Sequence, residues 1–144
     1  MTKRLTLVAF LPLFLVFSSL TFLNSGIDFK LGETYSFESI KEDAVSLDKI
    51  IFVDLFATWC GPCKKMEAEV FNKEKVGQKY NESFINYKVD IQSPEGSKLA
   101  RLYNINAYPT YLFLKPNGEV LYRLEGVFTT DGMIEEADFA LGLE

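Results

Sequence analysis

The stretch Ile50-Ile51-Phe52-Val53-Asp54-Leu55-Phe56 is apolar except for one acid, and the chain's two cysteines follow directly as Cys60-Gly61-Pro62-Cys63. A short continuous apolar run of this kind suits a strand buried on both faces at the centre of an α/β sheet. Pro62 falls where the first turn of a following helix belongs, a place where its fixed φ and missing N–H cost nothing. The reading is a central strand, a cysteine pair and a helix, in that order.

A C-x-x-C pair by itself allows half a zinc site, a structural staple or a redox couple. Zinc needs about four ligands, and the chain has two cysteines and no histidine. A staple across two intervening residues removes little chain entropy. A redox pair at the junction of a buried strand and a helix is the reading that stands. The lack of histidine also excludes Cys–His and Ser–His nucleophile pairs and imidazole acid–base chemistry. No cofactor beyond a Cys60–Cys63 disulfide, and no metal, is expected.

The two sulfurs are expected to play different parts. Cys60 at a helix N-terminus faces unpaired N–H groups and the positive end of the macrodipole, which favour a thiolate and make it the exposed attacking nucleophile. Cys63, one turn deeper, is placed to attack a mixed disulfide from within. Asp54, six residues before Cys60, is costly in a buried strand unless paired or protonated. As a buried acid of raised pKa it would take the proton from Cys63 through a water; the alternative is an edge position open to solvent. Lys88 in a later strand is a candidate partner for Asp54, against the alternative of a solvated lysine. Trp59 either shields the thiolate and offers an apolar contact or serves packing alone.

The rest of the chain alternates helix and strand. Phe37, Ile40, Ala44 and Leu47 recur on one helical face after a Ser36 cap. Met66, Val70 and Phe71 mark the face of the helix after Pro62, and a short helix is expected over Lys75 to Asn81. Phe84 to Val89 alternates into a strand ending at Asp90, followed by a helix from Ser97 to Tyr103. Tyr111 to Leu114 and Val120 to Leu124 flank Pro116-Asn117-Gly118, a hairpin signal. Thr130 or Asp131 caps a last helix to Leu141. The expected class is α/β, a central mixed sheet with helices on both faces.

The chain has 144 residues, enough for one domain. Its net charge of −5 argues against nucleic acid, whose phosphates demand a basic surface. Lys3 and Arg4 precede an uncharged, Leu/Phe/Val-rich run from Leu5 to Leu23, the pattern of an export signal. As a helix it would span roughly 28 Å, close to a bilayer core. Pro12 interrupts it, and Ser19-Leu20-Thr21 is only a weak cleavage site, so a cleaved signal and a retained anchor both stand. The basic flank places the following domain on the far side of the membrane. The expected organisation is a signal or anchor over 1–25, a linker over 26–35 and a folded domain over 36–144.

Taken together these residues resemble thioredoxin. Trp59-Cys60-Gly61-Pro62-Cys63-Lys64 matches the family's active-site motif in full, and the likeness runs from Ser36 to Leu141. The resemblance implies that Asp54 is the family's buried acid and Lys88 its partner. It implies that Tyr108-Pro109-Thr110 holds a cis proline, against a trans proline at a strand start, and that Gly126 is the glycine before the last helix. A cis bond there would turn the Tyr108 backbone toward Cys60, where an extended substrate peptide can pair with it. Trp59, Gly61, Pro62, Tyr108, Pro109, Thr110 and Gly126 are thus the implied substrate-binding set. Met66-Glu67-Ala68-Glu69-Val70-Phe71 with Lys75-Val76 is also similar to the soluble C-terminal domain of transmembrane thiol–disulfide interchange proteins.

The function expected is a cell-envelope reductase of disulfides in exported proteins, monomeric, with a membrane-embedded electron donor. A disulfide oxidase or isomerase is the alternative within the same chemistry. A non-enzymatic metallochaperone or peptide-binding module is the alternative outside it.

Overall fold

A computed structural model describes residues 26–143. The hydrophobic run at 5–23 lies outside the described residues, and among these no helix is long and apolar enough to cross a membrane. The elements are β1 (Lys30–Leu31), α1 (Phe37–Leu47), β2 (Ile50–Phe56), α2 (Gly61–Met66), a π-helical turn (Glu67–Phe71) and α3 (Glu74–Ser83). Then come β3 (Phe84–Asp90), α4 (Pro94–Leu102), β4 (Thr110–Leu114), β5 (Val120–Glu125) and α5 (Thr130–Leu141). The five strands form one sheet in the order β1-β3-β2-β4-β5. β1, β3 and β2 run parallel, β4 runs antiparallel to β2, and β5 antiparallel to β4. This is the thioredoxin fold, with β2 at its centre.

Strand periodicity splits β2 between two cores. Ile51, Val53 and Leu55 join Phe37, Ile40, Tyr87, Leu99 and Leu112 under α1 and α4. Ile50 and Phe52 face the opposite layer with Met66, Phe71, Tyr80, Tyr111, Phe113 and Met133, under the π turn, α3 and α5. The Phe52 ring lies within 6.4 Å of those of Phe71, Tyr80, Phe84, Tyr111 and Phe113. Such aromatic pairs add about 0.5–1.5 kcal/mol each beyond area burial. Asp54 follows Phe52 by two residues and so enters the same aromatic layer, at the end of the strand that leads to the cysteines.

The structure corrects the linker reading of 26–35. Leu31 and Lys30 pair with Lys88 and Tyr87 of β3, and Ile27 and Phe29 pack on the aromatic core. The Ile27 N–H donates to Phe71 O at 2.8 Å, and Asn81 Nδ2 donates to Gly26 O at 3.1 Å. A Cβ on Gly77 would stand 2.4 Å from Gly26 O, so glycine there permits the close approach of α3 to this segment. A two-residue strand held by backbone contacts has no periodic signature. Helix α4 also begins earlier than expected, at Pro94, because Ser93 caps it through the Gly96 N–H at 2.9 Å and proline is tolerated in the first turn. The last helix is capped by Thr129 rather than Thr130 or Asp131.

Candidate active site

The chain leaves β2 through Ala57-Thr58-Trp59 and turns into α2 at Cys60, which is the N-cap residue of that helix. The Cys63 N–H donates to Cys60 Sγ at 3.2 Å, so the first sulfur takes up one of the helix's free donors. A thiolate at this atom gains from that hydrogen bond and from the helix dipole. Cys60 and Cys63 are joined in a disulfide, with Cα atoms 5.3 Å apart.

One expectation is corrected here. The first cysteine is not more exposed than the second: Cys60 is 3% and Cys63 7% accessible. Both pack in an apolar nest with Ala57, Phe56, Ile91 and Tyr108. Trp59 supplies the exposure instead, at 63%. Its ring meets Tyr108 edge-on at 6.0 Å, joining the cysteine turn to the loop before β4.

That loop carries a cis Tyr108–Pro109 bond. Thr110, fully buried, donates its hydroxyl to Ala107 O at 2.7 Å. Pro109 O accepts the Gly126 N–H at 3.0 Å, and Gly126 takes φ +97°, a left-handed value that glycine adopts without strain. The Phe128 N–H then reaches Met66 Sδ at 3.2 Å, which ties this loop back to α2. The structure therefore sets Tyr108 against both cysteines and Trp59 beside Tyr108, with Pro109 and Gly126 hydrogen-bonded to each other next along the loop and Gly61 and Pro62 exposed on the first turn of α2.

Asp54 and Lys88 lie behind the cysteines, opposite each other in the β2–β3 register. Asp54 is 3% accessible, and its Oδ2 stands 3.7 Å from Lys88 Nζ. Burial pushes its carboxyl up to about 7; Lys88 pulls it down, and Glu67 adds repulsion. Lys88 also forms an ion pair with Glu67, and its Nζ lies over the rings of Phe56 at 4.9 Å and Phe29 at 5.5 Å. A cavity of about 340 Å³ is lined by Cys63, Glu67, Lys88, Phe56, Ala57, Thr58 and Lys64. It connects the second sulfur to the lysine that holds Asp54. Glu67 is the residue that sequence reasoning missed. The signal was present: it stands four residues after Cys63, one turn along the same face. Chemically, the site offers a dithiol–disulfide couple beside a buried acid that changes charge near neutral pH.

A family model described as a thioredoxin-like domain matches residues 37–140. Thioredoxin-1 of Drosophila melanogaster is 39% identical over 70 residues, covering 49% of this chain and 61% of its own length; the matched part is thus about three-fifths of that relative. A solved candidate disulphide-isomerase from Bacteroides thetaiotaomicron is 38% identical, with a TM-score of 0.72 over 83% of this chain and 97% of that one. The oxidised C-terminal domain of DsbD from Neisseria meningitidis shares the fold, at 24% identity and a TM-score of 0.62, over 71% of this chain and 90% of its own. Because the matched range runs from the first residue of α1 almost to the end of α5 and includes the Cys60–Cys63 disulfide, the chain belongs to the thioredoxin-like family of disulfide oxidoreductases.

Proposed function

We propose that the chain is a protein-disulfide reductase that uses Cys60 and Cys63 without any further cofactor. The observation that carries this reading is the Cys60–Cys63 disulfide at a helix N-terminus, with Cys63 lining a cavity together with Lys88, the ion-pair partner of Asp54. In the reduced enzyme the Cys60 thiolate attacks one sulfur of a substrate disulfide, forming a mixed disulfide and releasing the other sulfur as a thiolate. Cys63 gives its proton to Asp54 and attacks Cys60 Sγ. The Cys60–Cys63 disulfide forms, the second substrate sulfur leaves, and two electrons have passed to the substrate. Lys88 steadies the carboxylate before and after it takes the proton. Trp59, Gly61, Pro62 and the Tyr108-Pro109-Thr110 loop, closed by Gly126, form the rim on which an extended peptide lies.

The Gly61-Pro62 spacer resembles that of reducing thioredoxins and supports the reducing direction. The second reading, an isomerase or oxidase, is supported by the likeness to the Bacteroides protein. Equilibration of the Cys60–Cys63 couple with glutathione separates them. We expect a potential near the thioredoxin value of about −270 mV; a value toward about −120 mV identifies an oxidant instead.

The substrates are disulfides of exported proteins, and the location is extracytoplasmic. The basis is Lys3 and Arg4 ahead of the uncharged run from Leu5 to Leu23. A monomer re-reduced by a membrane-embedded donor fits a tethered domain. Cell fractionation with an antibody to the domain is expected to recover it at full length in membranes, or shortened and soluble outside the cytoplasm. Full-length protein in the cytosol would overturn the location.

A further inference from the structure

Asp54 is flanked on both sides of β2. On the β3 side its register partner is Lys88, and on the β4 side it is Tyr111. Lys88 Nζ stands beside Oδ2 only. The other oxygen, Asp54 Oδ1, is buried without a hydrogen-bond partner among the described residues, and so is the Tyr111 hydroxyl. Both residues belong to the same face of the sheet, because directly opposed residues of an antiparallel pair project together, with Cβ atoms about 4.5–5.5 Å apart.

The surroundings of Tyr111 give its hydroxyl no other purpose. Its ring is fully buried and packs on Phe52, Phe71 and Phe128, a cage in which phenylalanine would fill the space equally well. Tyr80, the other fully buried tyrosine of this layer, has its hydroxyl satisfied by Met133 O at 2.9 Å. Buried polar groups are almost always paired, directly or through an ordered water. Of these two orphaned oxygens on adjacent strands one donates and the other accepts, so a single water between them would satisfy both.

We propose that Tyr111 is a positioning residue for Asp54, its hydroxyl joined to Asp54 Oδ1 through one buried water on the side away from Lys88. The hydroxyl donates to the water, and the water donates to the carboxylate. Asp54 is thereby held by two different partners, Lys88 at Oδ2 and the Tyr111 arm at Oδ1. Its position is fixed while Cys63 works across the cavity. The other titratable groups acting on this pair are Glu67 from the π turn and Tyr80 from α3; Cys63 of α2 lines the cavity beside Lys88. None of them is paired with Oδ1.

This inference rests on the role proposed above for Asp54, but its test reads the carboxyl directly and does not depend on turnover. In protein carrying 13C-labelled aspartate, the Asp54 carboxyl is titrated by NMR in the wild type and in Tyr111→Phe. Removing the hydroxyl that holds the water takes away the water's donation to the charged form and raises the titration midpoint, by about one pH unit. In an Asp54→Asn background the same Tyr111→Phe change leaves the pH profile of disulfide reduction unmoved, since the two act together. Phenylalanine keeps the ring and its packing, so a merely structural tyrosine would lower the melting temperature and leave the carboxyl where it was. An unshifted or lowered midpoint in Tyr111→Phe overturns the proposal, whatever the enzyme's activity or potential.

Discussion

Cys60→Ser is expected to abolish insulin-disulfide reduction, whereas Cys63→Ser is expected to accumulate a covalent mixed disulfide with substrate, visible on a non-reducing gel. Turnover falls at least about 100-fold in both, because the two sulfurs act together. The species that accumulate differ. The difference does not come from exposure, since both cysteines are almost fully covered in the disulfide. It comes from their surroundings. Cys60 Sγ receives the Cys63 N–H and sits at the helix cap next to exposed Trp59. That is where a thiolate is favoured and where a peptide can arrive. Cys63 lines the cavity with Glu67 and Lys88, the side from which its proton is removed. With Cys63 gone, the first exchange still proceeds and nothing resolves it. Normal turnover by Cys63→Ser would reverse this assignment.

Much of this site was readable in the chain because several of its constraints are local. Asp54 stands out as one acid in an apolar run, Pro62 marks a helix start, and two cysteines without histidine leave few chemistries. Lys88 was legible as a candidate partner and through the resemblance, and the register shows why it matters: the parallel pairing of β2 with β3 sets it opposite Asp54. What sequence reading lost depends on contacts between distant segments. β1 exists because Gly26 and Gly77 let two backbones touch and because Asn81 binds both Asp28 N and Gly26 O. No periodicity encodes that. Glu67 reads as a solvated helix residue, and its side chain is indeed 53% accessible, yet it closes the far side of the Lys88 ion pair. The burial of Cys60 depends on Tyr108, nearly fifty positions along the chain, arriving beside it.

Asp54→Asn is expected to make the domain more stable above neutrality while slowing the resolving step. The carboxyl of Asp54 is pushed from 3.8 up to about 7, by burial first, with Lys88 opposing and Glu67 reinforcing the rise. In the unfolded chain the same group ionises near its ordinary value. Between about pH 4 and pH 7 the folded protein therefore binds more protons than the unfolded one, and stability falls as pH rises through that window. Above pH 7 the full cost of the buried charge is carried. It reaches roughly 4 kcal/mol, since a tenfold difference in proton affinity between the folded and unfolded chains is worth about 1.36 kcal/mol. Asparagine never ionises. The mutant should match the wild type near pH 4 in urea unfolding and exceed it at pH 8, while Lys88 retains Glu67 as its partner. Catalysis moves the other way. Without a group that accepts the Cys63 proton, attack on the mixed disulfide slows by about 10²-fold or more, the range typical of a lost general base. The rate then loses the inflection near pH 7 and follows the cysteine thiols alone. Stopped-flow reduction across pH 5 to 9 reads the kinetic half, and urea midpoints at the two pH values read the other. An equal stability difference at both pH values would mean that Asp54 is not charged at the cost of folding. An unchanged pH profile would remove it from the resolving step and leave it a structural acid held by Lys88.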